Sequence, residues 1–183
     1  MALAHMALPA HWDTLQLQMH EADVLQITLN RPDVGNAINT RMGQELLDLW
    51  LHLTDDAQGV RCVVLTGAGL KIFCAGGDLK ERNGMTRVQW MHQHEIFERV
   101  SWALVDLPLP VIAAVNGHAY GGGLELALCC DFIYASSSAR FALPEVTLGI
   151  MPGMGGTQNL PRAIGERRAK ELIMTGQAFT AQQ

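Results

Sequence analysis

The chain has 183 residues, of which 49% are hydrophobic and 17% are charged, a composition typical of one compact globular domain rather than a disordered chain. The formal net charge of −5 provides no basic surface for a nucleic acid, which argues against a nucleic-acid-binding function. The sequence contains no uninterrupted apolar run of about 18 residues, so no transmembrane helix and no membrane association are predicted.

The first ten residues, MALAHMALPA, lack a basic region and a long apolar stretch, so they do not resemble a signal peptide. We interpret residues 1–10 as a flexible N-terminus or cloning scar and residues 11–183 as one core domain. The cysteines show no Cys-x-x-Cys spacing, and we expect them to be reduced core residues of a cytoplasmic protein. They are Cys62, Cys74, Cys129 and Cys130.

The first third of the chain predicts a hairpin, a helix and further strands. Apolar and polar residues alternate in Thr14–Met19 and Val24–Leu29, which indicates a β-hairpin with one solvated face. Apolar residues then recur at helical spacing from about Thr40. The run Arg61–Thr66 is almost continuously apolar and predicts a strand covered on both faces, and Leu70–Cys74 reads as a second extended segment.

The rest of the chain continues the alternation of helices and strands. Thr86 is positioned to cap a long helix from Arg87 to about Leu104, and Val111–Val115 is a predicted buried strand. Asp131–Ala135 is another predicted strand, and one last helix is predicted from about Pro161 to Thr175. Helices alternating with buried strands indicate an α/β domain.

Three common kinds of functional site are disfavoured by spacing. Gly67-Ala68-Gly69 follows a strand, but Ile occupies the sixth position, where a dinucleotide-binding fingerprint needs a small residue. The serines of residues 136–138 lack the Gly-x-Ser-x-Gly pattern of a serine hydrolase. His92 and His94 lie two residues apart on a predicted helix, so we interpret them as exposed residues and not as metal ligands.

Two glycine clusters carry the strongest functional signal. Gly121–Gly123 follow a strand and open a strongly apolar helix, and Gly76-Gly77 precede Asp78 after an extended segment. Glycines in such places expose backbone N–H groups, whose natural partner is a negative or developing negative oxygen. Glu125, one turn into the apolar helix, is either a residue that stabilises the helix dipole or a buried catalytic acid, and the adjacent glycines favour the catalytic role.

Five segments together resemble the enoyl-CoA hydratase/isomerase (crotonase) family. The resemblance implies an α/β crotonase (ClpP-like) fold, in which repeated ββα units form two sheets at a steep angle surrounded by helices. The segments that carry it are RPDVGNAIN (Arg31–Asn39), VVLTGAG (Val63–Gly69), FCAGGDLKE (Phe73–Glu81), PVIAAVNGHAYGGGLELALCCD (Pro110–Asp131) and LPEVTLGIMPGMGGTQNLPRAIG (Leu143–Gly165).

The same resemblance implies acyl-CoA thioester substrates and a set of catalytic residues. The backbone N–H groups of Gly77 and Gly122 match the positions of the family's oxyanion hole. Glu125 and Glu145 match the two acids of the family's hydratases, with Glu125 mainly activating water and Glu145 mainly delivering a proton. By residue type alone Glu145 reads as a solvated loop residue. The implied reaction adds water to a trans-2-enoyl-CoA to give a 3-hydroxyacyl-CoA, without a metal and without a cofactor besides the coenzyme A of the substrate.

The resemblance also suggests residues that bind the rest of the substrate. Main chain near Ala37, Ala75 and Leu79 is expected to lie along the coenzyme A, and Asp78 is expected to orient its loop. Met85, Trp90 and Tyr120 are candidates for the acyl pocket and equally for the core. The expected substrate-binding residues are Ala37, Ala75, Gly76, Asp78, Leu79, Tyr120 and Gly121.

The sequence departs from the family pattern at its end. It stops at Gln183, where members of the family normally continue into a helical segment that packs on a neighbouring subunit. We expect a homotrimer or hexamer for a C-terminally complete chain. The alternatives are an enoyl-CoA isomerase, another acyl-CoA enzyme of the family, or an inactive, truncated domain that only binds acyl-CoA.

Overall fold

The computed structural model describes residues 11–183, so the interpretation of residues 1–10 concerns a segment outside the described residues. The described chain begins with an antiparallel hairpin of β1 (Leu15–His20) and β2 (Val24–Leu29). In β1, buried or partly buried residues alternate with exposed ones, and in β2, buried residues alternate with partly buried ones, which confirms the predicted hairpin.

The strands form two sheets joined by ββα repeats. After the hairpin, the chain places one strand in the larger sheet, the next strand in the smaller sheet and then a helix, three times in succession. The larger sheet has the order β1-β2-β3-β5-β7, with β3 (Cys62–Gly67), β5 (Val111–Val115) and β7 (Phe132–Ala135) parallel to one another. The smaller sheet has the order β4-β6-β8-β9, with β4 (Ile72–Cys74), β6 (His118–Tyr120), β8 (Arg140–Ala142) and β9 (Phe179–Thr180).

Helices cover the sheets, and two of them have well-defined caps. The Asn39 side chain accepts a hydrogen bond from the Met42 N–H at the start of the first helix, and Thr86 forms a capping box with Gln89. These caps satisfy N–H groups that a helix start leaves unpaired. The helices are α1 (Thr40–Asp55), α2 (Leu79–Asn83), α3 (Arg87–Val105), α4 (Gly122–Leu128), α5 (Gly156–Ile164) and α6 (Glu166–Thr175).

The structure corrects the sequence prediction in two places. The single predicted last helix is two helices, α5 and α6, because Gly165 between them has φ 84° and ψ 152°, which no α-helix allows. Strand β3 begins at Cys62, one residue later than predicted, and its two faces are covered unequally, since buried residues alternate with partly buried ones. The predicted strand at Val111–Val115 is confirmed, and the predicted start of α1 at Thr40 is confirmed.

The core lies around the larger sheet and the paired helices α1 and α3. Trp50 of α1, Phe73 of β4 and Phe97 of α3 are among its largest fully buried side chains. A Cβ atom at Gly43 of α1 would lie only 2.7 Å from the Phe97 ring, so this glycine lets the two helices approach closely. Cys74 and Cys129 are buried and Cys62 and Cys130 are partly buried, all four as free thiols. Within residues 11–183, no helix is both long and apolar enough to cross a membrane.

The close contact between α4 and β4 depends on Gly123. A Cβ atom at Gly123 would lie 2.2 Å from the Cys74 carbonyl oxygen, closer than any real contact allows. We expect Gly123→Ala to lower the free energy of unfolding by about 3 kcal/mol, at the upper end of overpacking effects, and the melting temperature by roughly 6–12 °C. Thermal and urea unfolding monitored by circular dichroism would measure this change.

The matched control is Gly84→Ala. Gly84 has a right-handed backbone conformation, and a Cβ atom there would approach nothing closer than 3.8 Å. The control is expected to unfold within about 0.5 kcal/mol of the wild type. Equal stability of the Gly123→Ala variant and the control would show that α4 does not require this close approach.

Candidate active site

Three segments meet at one edge of the smaller sheet. Strands β4, β6 and β8 are parallel, so their carboxyl ends lie at the same edge. Gly76 and Gly77 follow β4, Gly121 and Gly122 follow β6, and Glu145 follows β8. The repeated ββα topology therefore brings together residues that are far apart in the sequence.

The glycines after β4 and β6 lie in close backbone contact. A Cβ atom at Gly76 would lie 2.8 Å from the Tyr120 carbonyl oxygen and 3.3 Å from the Gly122 nitrogen. A Cβ atom at Gly122 would lie 3.6 Å from the Gly77 nitrogen. Gly76 has φ +97° and Gly121 has φ +52°, so both adopt backbone conformations that favour glycine.

The N–H groups of Gly77 and Gly122 are available to a ligand. Neither group donates a hydrogen bond to any atom of residues 11–183. Gly122 begins α4, whose N-terminal end carries partial positive charge. Two adjacent, unused N–H donors can stabilise an oxygen that gains negative charge during a reaction.

Hydrogen bonds on both sides hold Gly77 in place. The Ile38 N–H donates to the Gly76 carbonyl oxygen over 2.8 Å, and the Asp78 N–H donates to the Ile38 carbonyl oxygen over 2.9 Å. Ile38 is fully buried, so this pairing attaches the glycine loop to the core. The orientation of the Gly77 N–H is thus fixed by its neighbours.

Asp78 strengthens this support through its side chain. Its carboxylate accepts hydrogen bonds from the N–H groups of Lys80 and Glu81, capping α2, and pairs with Arg31 Nη1 over 2.9 Å. Arg31 Nη1 also donates to the Ala37 carbonyl oxygen over 2.6 Å. Burial opposes ionisation, but the Arg31 hydrogen bond and the capped N–H groups outweigh it and hold the pKa of Asp78 below its usual 3.8. The Asp78 carboxylate is therefore occupied by loop contacts.

The other expected substrate-binding residues differ in exposure. Ala75 and Leu79, two residues before and after Gly77, are exposed, whereas Ala37 is buried. Tyr120 is partly buried and stacks on His118 with 5.8 Å between ring centroids. Trp90 is 39% exposed, so its alternative interpretation as a core residue is wrong.

Glu125 is a buried carboxyl group held by backbone donors. Its side chain lies in the first turn of α4, and the residue is only 2% exposed. Oε1 accepts hydrogen bonds from the N–H groups of Met154 and Gly156, each over 2.8 Å, in the glycine-rich loop before α5. Burial raises the pKa of Glu125 above its usual 4.5, and these N–H groups and the charge of His94 offset this rise only in part. The backbone donors thus favour the ionised form of a group that burial favours as neutral.

Glu145 carries the second carboxyl group, and its surroundings differ from those of Glu125. The residue is 7% exposed, and its Oε2 is a buried atom without a hydrogen-bond partner among the described residues. A Cβ atom at Gly121 would lie 3.0 Å from Oε1, which places the carboxyl group against the glycine triplet. Burial and, to a smaller extent, the charge of Glu125 raise the pKa of Glu145 to about 7, although its own backbone N–H acts in the opposite direction. Near neutral pH, Glu145 can therefore carry a proton while it lies beside Glu125.

Arg82, Gln93 and His94 lie near this site, and the sequence did not identify them as site residues. Arg82 lies beside Gly77, since a Cβ atom placed at Gly77 would lie 3.4 Å from the Cζ atom of Arg82. The Nε–H group of Arg82 donates a hydrogen bond to the buried Gln93 side chain. His94 lies beside the loop that holds Glu125, with its ring 2.8 Å from a Cβ atom placed at Gly153. The interpretation from sequence as an exposed helix residue is correct for His92, but it is wrong for His94, which is partly buried. The four-residue spacing of Trp90 and His94, which stack with 5.1 Å between centroids, was the one local signal available.

No group of three or more His, Cys, Asp or Glu side chains in residues 11–183 is arranged to hold a metal ion. The functional groups described at the candidate site are two backbone N–H donors, two coupled carboxyl groups and a nearby guanidinium.

Comparison with known proteins identifies the family. A sequence model described as enoyl-CoA hydratase/isomerase matches residues 19–183. The chain belongs to the enoyl-CoA hydratase/isomerase family. The crystal structure of an enoyl-CoA hydratase from Bacillus anthracis superimposes with a TM-score of 0.89 and 46% sequence identity, covering 92% of this chain and 65% of that chain. The described chain therefore has the crotonase fold.

Two further relatives are each 45% identical in sequence to this chain. One is the short-chain-enoyl-CoA hydratase of Clostridium acetobutylicum, 45% identical over 161 residues, which are 88% of this chain and 61% of the relative. The other is the human mitochondrial enoyl-CoA hydratase domain-containing protein 2, 45% identical over 86% of this chain and 53% of the relative. The chain thus spans between about half and two thirds of the length of these relatives.

The Arg31–Asp78 pair leads to a prediction about pH and stability. Because the folded pKa of Asp78 is depressed below 3.8, its ionised form stabilises the fold well above that pH, and this contribution is lost as pH falls through the folded pKa. We expect Asp78→Asn to lower the free energy of unfolding at pH 7, with a loss that shrinks between pH 5 and pH 3. Urea unfolding at several pH values would measure this difference.

The control for this prediction is Asp48→Asn, which removes an exposed carboxyl group of α1. Its effect on stability at pH 7 is expected to be smaller than that of Asp78→Asn. A loss in Asp78→Asn that stayed constant from pH 7 to pH 3 would mean that the ionised carboxylate does not support this loop.

Proposed function

We propose that this chain is an enoyl-CoA hydratase, which adds water to a trans-2-enoyl-CoA to give a 3-hydroxyacyl-CoA. The observation that carries the proposal is the meeting of Glu125 and Glu145 beside two unused backbone N–H groups. The hydratase names of relatives and of the similar crystal structure support it. Because the chain spans only part of those proteins, the activity of the whole protein belongs to this proposal.

In the proposed reaction, the N–H groups of Gly77 and Gly122 bind the thioester carbonyl oxygen. They stabilise the negative charge that develops there as water adds to Cβ and the thioester becomes an enolate. The thioester itself accepts the electron pair of the double bond. Consequently the proposal needs no cofactor or metal besides the coenzyme A of the substrate.

The two glutamates divide the proton transfers. The N–H groups of Met154 and Gly156 favour the ionised form of Glu125, which takes a proton from the attacking water. The raised pKa of Glu145 favours a protonated carboxyl group, which delivers its proton to Cα of the enolate. The hydroxyl group of the water forms the new bond to Cβ, its proton passes to Glu125, and the proton of Glu145 forms the new bond to Cα. Proton exchange between the two carboxyl groups or with solvent then restores both for the next cycle.

The remaining parts of the proposal concern the substrate, the assembly and the location. The exposed chain at Ala75 and Leu79 is proposed to lie along the coenzyme A, with Ala37 beneath it and Tyr120 near the acyl group. A homotrimer or hexamer is proposed for the whole protein, supported by the apolar side chains that edge strand β7 exposes, Phe132 and Tyr134 among them. Free thiols at all four cysteines support a reducing compartment such as the cytoplasm.

Substitution of either glutamate tests the reaction. Glu125→Gln and Glu145→Gln are each expected to lower kcat on crotonyl-CoA by about 10²–10⁴-fold, since each removes one proton-transfer group. The loss of ultraviolet absorbance of the conjugated thioester would measure the rate. Mass spectrometry of the product made in ¹⁸O-labelled water would identify hydration by the incorporated label.

Glu21→Gln, at an exposed carboxyl group far from the site in the β1–β2 turn, is the control and is expected to retain wild-type kcat. An unlabelled product of unchanged mass would identify an isomerase instead. Binding of acyl-CoA without conversion of short, long or aromatic enoyl-CoA substrates would support a domain that only binds acyl-CoA and would contradict the proposed reaction.

The protonation state of Glu145 gives a second test. Because its pKa is about 7 and hydration requires its protonated form, kcat/KM is expected to fall as pH rises through about 7. The measured value belongs to the coupled pair of carboxyl groups. A pH–rate profile from pH 5.5 to 9 would reveal the fall, and Glu145→Gln is expected to remove it from the residual rate. An alkaline limb unchanged in Glu145→Gln would rule out this residue as its source.

A further inference from the structure

Arg82 is a half-buried cation whose terminal groups are unused. Its Nε donates a hydrogen bond to Gln93 Oε1 over 2.8 Å. Within residues 11–183, its two terminal amino groups donate no hydrogen bond and form no ion pair. A guanidinium that is partly removed from water normally has an anionic partner.

The surrounding side chains hold this guanidinium at the candidate active site. Its Cζ lies 5.4 Å from the centroid of Phe97 and 6.0 Å from that of Trp90, both on α3. Gln93, which is only 1% exposed, donates from Nε2 to Thr40 Oγ1 and to Glu81 Oε2, each over 2.8 Å. Arg82 is therefore fixed beside Gly77 by a buried polar network.

The two carboxylates whose charges act on Arg82, Glu81 and Glu125, form their hydrogen bonds with other groups. Glu81 Oε2 accepts from the Thr40 N–H and from Gln93, and Glu125 Oε1 accepts from two backbone N–H groups. Burial lowers the pKa of Arg82, and the charges of Glu81 and Glu125 counteract this at a distance. The forked terminal end of Arg82 thus remains available to an anion of the substrate.

We propose that Arg82 binds a carboxylate on the acyl group, so that the site prefers short enoyl-CoA substrates that end in a carboxylate. This inference rests on the proposed function, because the acyl group must extend from the N–H groups of Gly77 and Gly122. Those two donors already serve the thioester oxygen, which leaves the guanidinium for a second anion. Its planar pair of amino groups matches the two oxygens of a carboxylate.

Binding of saturated acyl-CoA compounds tests this preference without turnover. Glutaryl-CoA and pentanoyl-CoA have acyl chains of equal length and differ in a terminal carboxylate or methyl group. Wild-type protein is expected to bind glutaryl-CoA about 10- to 100-fold more tightly by titration calorimetry, as expected for a charge-assisted pair. In Arg82→Met this ratio is expected to approach one, and Arg82→Lys should give an intermediate ratio.

The control is Arg99→Met, which removes an exposed arginine of α3 and is expected to keep the wild-type binding ratio. A wild-type protein without preference for glutaryl-CoA, or an Arg82→Met variant that keeps the preference, would overturn the proposal. If Arg82→Met unfolds because its contacts with Gln93 and Phe97 are lost, the wild-type and Arg82→Lys ratios decide the question.

Kinetics separate this inference from the proposed reaction. The ratio of kcat/KM for glutaconyl-CoA over trans-2-pentenoyl-CoA is expected to fall about 10- to 100-fold in Arg82→Met, and the ratio cancels any loss common to both substrates. Hydration of both compounds with an unchanged ratio would overturn the role of Arg82 and leave the hydratase reaction standing. A preference for glutaryl-CoA in binding, without hydration of either enoyl compound, would support the role of Arg82 and contradict the reaction.

Discussion

The candidate site depends on the close approach of two backbone segments that side chains would separate. Gly76 lies so near Tyr120 and Gly122 that a single Cβ atom would clash, and the N–H groups of Gly77 and Gly122 are adjacent for the same reason. The parallel strands β4 and β6 bring these segments together, and the Ile38 and Asp78 hydrogen bonds keep Gly77 oriented. A pair of donors arranged before the substrate arrives needs no reorganisation during the reaction, which is why backbone groups suit this task.

Burial near the donors creates an electrostatic conflict between two carboxyl groups. Both glutamates are removed from water, and the charge of Glu125 makes ionisation of Glu145 more difficult. The surroundings resolve the conflict unequally, because Oε1 of Glu125 has two backbone donors whereas Oε2 of Glu145 has no partner among the described residues. Such unequal surroundings separate an acid from a base within one site. They also imply that the fold is less stable with these groups than with neutral ones, a common property of catalytic sites.

The predictions from sequence succeeded where the deciding interactions are local. Alternating residues in the hairpin, the cap at Thr86 and the apolar run at Val111–Val115 each contain their own signal, and the structure confirms them. Gly165 interrupts the last helix through its backbone conformation, which apolar periodicity does not reveal. Strand β6 has only three residues and exists because β4 and β8 flank it, so no local pattern could identify it. The approach of Glu145 to the glycine triplet is likewise a tertiary contact, and the sequence indicated it only through family resemblance.

Arg82 shows why a residue can escape sequence analysis and still matter for the site. In the sequence it is an ordinary charged residue of the short helix α2, similar to its neighbours Lys80 and Glu81. In the fold it lies against two aromatic rings, and a buried glutamine holds its Nε. Opposite charges are present nearby, yet Glu125 and Arg82 each have other partners and do not neutralise one another directly. A site in which an anion and a cation are kept apart retains both charges for a ligand, whereas a direct ion pair would leave neither available.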